Sequence, residues 1–124
     1  MKGENVMSKV AIVVLCDTET FENLGRAFNA LMAVKEFKDA GDDVRLIFDG
    51  AGTKWIGELS KSDHKAHGLF RAVRDKVAGA CSFCSGIFQQ EGAIRTNEVR
   101  LLDEYEGHPS FKKLLSEGYE VITF

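Results

Sequence analysis

Cys81 and Cys84 stand three residues apart in the run Ala80-Cys-Ser-Phe-Cys84-Ser-Gly86, and chemistry is to be sought there first. A thiol acts as a nucleophile or a metal ligand in its thiolate form. The first turn of a helix stabilises that anion through unpaired backbone N–H groups and the positive end of the helix dipole. An ordinary thiol pKa of ~8.5 can fall to neutrality or below in such a place. Residues three apart at a helix start are close enough for one thiol to attack and the other to assist or resolve. The alternative is two small buried core residues, a common use of cysteine. Cys16 fits packing better, since it stands alone at the end of an apolar run.

Other groups compete for the same attention. His64-Lys-Ala-His67 precedes the cysteine pair by a finger-like interval, so His64, His67, Cys81 and Cys84 make a possible zinc set. A helix begun at Ser62 or Asp63, at about 100° per residue, turns His64 nearly opposite the Ala66, Phe70 and Val73 face. His67 then sits to the side, on a polar surface with Arg71 and Arg74, and two solvated histidines are the simpler reading. His108, beside Pro109, either reaches the thiols or caps a helix. Asp49-Gly50-Ala51-Gly52 reads as a backbone nest for an anion or as a plain tight turn. Asp17 stands where it can meet a ligand or the dipole of the helix that follows. The candidate ligand-binding positions are therefore Asp17, Asp49, Gly50 and Gly52. No G-x-G-x-x-G follows the first strand and no phosphate-loop lysine is present, so no cofactor is expected.

The elements that must position these groups are legible from periodicity. Val10 to Leu15 is a continuous aliphatic run, as in a strand covered on both faces of a parallel sheet. Thr18 or Thr20 caps a helix in which Phe21, Leu24, Phe28, Leu31 and Val34 recur at helical spacing, and Gly41 ends it. With Val44 to Phe48 this makes a right-handed βαβ unit. A short helical piece carries Trp55, Ile56 and Leu59, and a further helix carries Ala66, Leu69, Phe70, Val73 and Val77. Val77 to Ala80 is a strand of small residues, suited to tight backbone packing. A helix from Ser82 or Phe83 to Glu91 closes at Gly92. Val99 to Leu102 makes a fourth strand, Pro109 opens a helix over Ser110 to Glu117 that Gly118 ends, and Tyr119 to Phe124 is the last strand. The expectation is one α/β domain over 1–124 in three layers, with about five mostly parallel strands between helices, flavodoxin-like. Residues 1–8 are polar and expected to be loosely ordered.

Composition bounds the function. With 124 residues, 44% of them apolar and nine of them Phe, the chain can bury a core without staples or metals. A net charge of −3 without any basic run argues against nucleic acid. The longest apolar stretch, Val10 to Cys16, is far short of the ~20 residues that span a bilayer. It also lacks the cleavage site of a secretory signal. Three cysteines without a disulfide-dense spacing suit a reducing compartment, and a cytoplasmic location is expected. The fold order lacks the arrangement of thioredoxins, in which the Cys-x-x-Cys follows the first long strand and faces a Pro-bearing loop.

The opening strand and long helix, Phe48-Asp49-Gly50, Ala80-Cys81-Ser-Phe-Cys84-Ser-Gly-Ile-Phe-Gln-Gln-Glu-Gly92 and Leu114-Leu115-Ser-Glu-Gly118-Tyr-Glu-Val-Ile-Thr-Phe124 together resemble the DsrE/DsrF-like family. The resemblance runs through nearly the whole chain in element order. It implies a flavodoxin-like sheet, a homo-oligomer of trimer or hexamer type, and sulfane-sulfur transfer through a cysteine persulfide. In that family the sulfur-carrying cysteine begins a helix that ends about eight residues later at a Gly followed by a small apolar residue. Cys84, with Gly92 and Ala93 downstream, occupies that place. The chain departs from the sulfur-relay subunits at Cys81 and in the Trp55 to His67 segment. The function expected is a sulfurtransferase-like sulfur carrier acting through Cys84 with Cys81, served by donor and acceptor proteins. The rivals are an oligomeric ligand- or partner-binding module with structural thiols, and the zinc set above.

Overall fold

The computed structural model describes residues 7–124 and forms one five-stranded sheet. The strands are β1 (Lys9–Val14), β2 (Asp43–Phe48), β3 (Val77–Cys81), β4 (Leu101–Leu102) and β5 (Glu120–Thr123), in the order β4-β3-β2-β1-β5. Every pairing is parallel. Between them lie α1 (Phe21–Asp39), α2 (Trp55–Leu59), α3 (His67–Val73), α4 (Ser82–Ile87), α5 (Glu91–Thr96) and α6 (Phe111–Ser116). This is the three-layer, flavodoxin-like α/β architecture that the alternation of elements implies. Most of the expected loosely ordered start, residues 1–6, lies outside the described residues.

The aliphatic run of β1 is explained by burial on both sides. Val10, Ile12 and Val14 face a core built with Ala27, Ala30, Leu31 and Val34 of α1, Trp55, Ile56 and Leu59 of α2, Phe70 of α3 and Ile94 of α5. Ala11 and Val13 face a smaller cluster with Ile47, Leu102, Tyr119 and Leu114 of α6. The sheet thus carries α1, α2, α3 and α5 on one face and α6 on the other. Among the described residues no helix is long and apolar enough to cross a membrane.

Several boundaries differ from the sequence reading, each for a local reason. Thr20 is the cap of α1, its side chain accepting from the Asn23 N–H. Phe21 is not on the buried face. It stands at the first helical position, 85% exposed, beyond the edge of the packed stripe. The Ser62/Asp63 helix start is replaced by turns, and α3 begins at His67. Val77, read both on the helix face and as the start of a strand, is the first residue of β3. Pro109 precedes the helix rather than opening it, because Ser110 is the cap, accepting from the Lys113 N–H. The small residues of β3 do serve close packing. A Cβ on Gly79 would stand 2.5 Å from the Arg100 carbonyl oxygen of the neighbouring segment.

The expected single helix from 82 to 91 is two. Gln90 N–H bonds Ser85 O, Gln89 N–H bonds Gly86 O, and Gln89 has φ 57°. These two bonds and the left-handed residue make a Schellman ending to α4, and Gly92 falls inside α5 instead. A side chain in that conformation costs about 1 kcal/mol that glycine avoids. Gln89→Gly is therefore expected to raise stability by about 1 kcal/mol, read as a higher urea midpoint at unchanged slope.

Candidate functional site

Adjacent strands whose following helices lie on opposite faces leave a crevice at their carboxyl ends, where α/β proteins hold ligands. β3 runs into α4, which packs with α5 and the 50–54 turn, whereas β4 leads to α6 across the sheet. The segments leaving β3 and β4 therefore splay apart there, and they carry the two cysteines and His108.

Cys81 is the last residue of β3 and the N-cap of α4. Its sulfur accepts the Cys84 N–H at 3.4 Å, and Ser85 Oγ bonds the Cys81 carbonyl at 2.6 Å. Here the structure corrects the sequence reading. The sulfur that takes the amide at the helix start belongs to Cys81, whereas Cys84 is the third residue of α4 and donates that amide. Cys81 is wholly buried and Cys84 is half-buried. Burial pushes the Cys81 thiol up to about 12. The nearby Asp49 and Cys84 charges add to that rise, against the lowering effect of the Cys84 amide.

His108 arrives from β4. Tyr105 and His108 exchange backbone hydrogen bonds of 2.8 and 2.9 Å around Glu106 and Gly107, both at positive φ, as in a two-residue hairpin turn. The Phe83 N–H ties this turn to α4 through Gly107 O at 2.8 Å. The Phe83 ring packs on the imidazole with centroids 4.9 Å apart. His108 Nδ1 then lies 3.3 Å from Cys81 Sγ. One ligand atom from each of Cys81, Cys84 and His108 falls within 4.8 Å of the others, and no other such group of three or more His, Cys, Asp or Glu occurs among the described residues. His108 also lines a pocket of about 430 Å³ with Asp49, Tyr105, Pro109, Ser110, Phe111 and Lys112.

The remaining candidates divide. Asp49 lies at the end of β2, buried beside this pocket, with Oδ1 accepting the Gly50 N–H at 2.8 Å. The Gly52 N–H bonds Asp49 O at 2.9 Å. Both amides of the supposed nest thus have partners within the turn. Gly52 is there for packing, since a Cβ on it would meet Val14 O at 2.0 Å. Asp17 does not join the group of Cys81, Cys84 and His108, and is bonded to the Thr18 amide and to Lys54 Nζ at 3.1 Å. Those two partners hold its carboxyl below the usual range. Cys16 follows β1 with its carbonyl held by Trp55 Nε1 at 2.9 Å, and burial raises its thiol.

The zinc set with His64 and His67 is not formed. His64 Nδ1 accepts the Ala66 N–H at 3.0 Å and its ring meets Trp55 edge-on. His67 Nδ1 lies 2.8 Å from Leu59 O. Each is occupied on the α2–α3 side. The histidine that joins the thiols is His108, which sequence reasoning leaves open between site and cap. The signal for it is the Glu106-Gly107 turn immediately before His-Pro, following the fourth strand.

Fold and site together define a three-layer α/β protein with two thiols and an imidazole at a switch crevice. No family model matches the chain. It is similar to the uncharacterized protein MJ0733 of Methanocaldococcus jannaschii, at 29% identity over 100 residues and 81% of each chain. In structure it resembles the conserved protein of unknown function BT1422 from Bacteroides thetaiotaomicron, with a TM-score of 0.64 at 19% identity. That match covers 92% of this chain and 94% of the other.

Proposed function

We propose that the chain is a sulfur carrier of the DsrE/DsrF-like kind, in which Cys84 takes up sulfane sulfur as a persulfide. The observation that carries this is a half-exposed thiol set beside a buried thiol and an imidazole, all within 4.8 Å, at the mouth of a crevice. His108 takes the proton of Cys84. The thiolate attacks the terminal sulfur of a donor R–S–SH, a new S–S bond forms on Cys84, the donor S–S bond breaks, and R–S⁻ leaves with a proton from the imidazole. Transfer onward repeats the step in reverse on an acceptor thiol.

Cys81 is then an assisting thiol rather than a resolving one. Were it ionised, it would attack the inner sulfur of the Cys84 persulfide, release HS⁻ and leave a disulfide. Its burial keeps it neutral, so the persulfide survives, and its S–H is a hydrogen-bond donor to the anion. Exposed Phe83 packs on His108, exposed Tyr105 and Phe111 line the pocket beside it, and such a surface suits a protein bringing or removing sulfur. Assembly as a trimer or hexamer in the cytoplasm belongs to the same proposal.

Treatment with a small-molecule persulfide should add one sulfur atom to the intact mass. The adduct is expected in Cys16→Ala and Cys81→Ala and absent in Cys84→Ala. An adduct that persists without Cys84, or none in the native chain, rules the proposal out.

A further inference from the structure

We propose that Cys81, Cys84 and His108 also form a binding site for one soft metal ion, with Zn(II) or Cu(I) as the chemical class. This goes beyond the sulfur reading and stands without it. A tetrahedral ion at the usual metal–sulfur and metal–nitrogen distances places a sulfur and an imidazole nitrogen about 3.6 Å apart. Cys81 Sγ and His108 Nδ1 are 3.3 Å apart. Two such sulfurs stand about 3.8 Å apart around the ion, and the Cys81 and Cys84 sulfurs fall within 4.8 Å before any ion draws them in.

The frame around the ligands is that of a metal knuckle. Cys-x-x-Cys is a common spacing for a thiolate pair on one ion. The Cys84 N–H already points at Cys81 Sγ, an outer hydrogen bond that steadies a ligating sulfur. The imidazole is fixed by the Tyr105–His108 turn, by the Phe83 ring, and by the bond that fastens the turn to α4. Ligands from two segments, one after β3 and one after β4, are thereby held without being adjacent in sequence.

Chemistry narrows the ion. Two thiolates and an imidazole prefer soft or borderline ions, whereas magnesium and calcium require oxygen. Of the two ions Zn(II) fits better, because with two thiolates it makes a neutral unit, whereas Cu(I) would leave a negative charge buried near the Asp49 carboxylate. Binding releases the two thiol protons to solvent and changes no oxidation state. Three protein ligands leave a fourth position for an external ligand, and His108 borders the 430 Å³ pocket that can admit one. Metal and persulfide are exclusive occupants, because both need the Cys84 sulfur.

The test is titration of the reduced, chelator-treated protein with Co(II) under anaerobic conditions, followed by displacement with Zn(II). One ion per chain is expected, with thiolate-to-cobalt charge-transfer absorption of two sulfurs. Cys84→Ser should halve that absorption, and His108→Ala should weaken binding at least tenfold. His108→Cys, which supplies another soft donor, should restore it. The double variant His64→Gln/His67→Gln should bind as the native chain does. No stoichiometric uptake, or native affinity in His108→Ala, overturns the proposal. The titration contains no sulfur donor, so its result is independent of the persulfide experiment.

Discussion

In the native chain, Cys81 is expected to alkylate at least about a hundred-fold more slowly at pH 8 than the same cysteine in the unfolded chain. The direction follows from burial, which pushes this thiol up to about 12 and leaves very little thiolate at pH 8. The rate should rise about tenfold per pH unit from 8 to 11 without the plateau a free thiol shows above 9. Tandem mass spectrometry of the peptides separates Cys81 from Cys84 and Cys16. A plateau near pH 9, or rates within tenfold of the unfolded chain, would contradict a thiol kept neutral by burial.

The raised thiol pKa also sets a direction for stability. The folded thiol holds its proton to higher pH than the unfolded one. The contribution from burying it neutral is therefore complete below pH 9 and is lost as pH rises toward 12. Relative to Cys81→Ala, the native chain should lose stability through that window, by at most about 1.4 kcal/mol per pH unit.

Gly52→Ala should be among the most damaging single substitutions, at about 3 kcal/mol or more. The new Cβ would stand 2.0 Å from Val14 O and 2.7 Å from Val14 C, both backbone atoms of β1 that cannot swing aside. The 50–54 turn would have to lift from the sheet, and α4 packs against that turn. Loss of stability should therefore come with altered Cys84 reactivity. Gly25→Ala is the matched control. Nothing lies within 4 Å of its Cβ, and a helix-interior Gly-to-Ala change typically gains about 0.5–1 kcal/mol. Chemical denaturation of both reads the contrast, and equal midpoints would show that the turn yields without cost.

Helix ends show where sequence reading succeeds. At Gly41 and Gly118 the left-handed residue that closes the helix is the one that suffers no steric penalty, and both ends stand out in the sequence. At Gln89 and Glu98 the same conformation is taken by residues with side chains. The break between α4 and α5 is hidden for that reason, and Gly92 reads as the stop in its place. Phe21 misleads differently. Its spacing matches the buried stripe, but its place at the helix start puts it beyond the sheet it would have packed against.

The site divides along the same line. Strand periodicity, the small residues of β3 and the change of pattern at Ser82 are local properties, and they alone put Cys81 and Cys84 at a strand-to-helix junction. Which sulfur is buried, and which takes the amide, depends on cap geometry and on the neighbouring β2 and β4. The approach of His108 to a cysteine 27 residues earlier is decided by parallel pairing of β4 beside β3, by the turn at 106 and 107, and by the crossing to α6. Such a contact is set by the packing of whole elements. Residue types along the chain therefore named its participants without bringing them together.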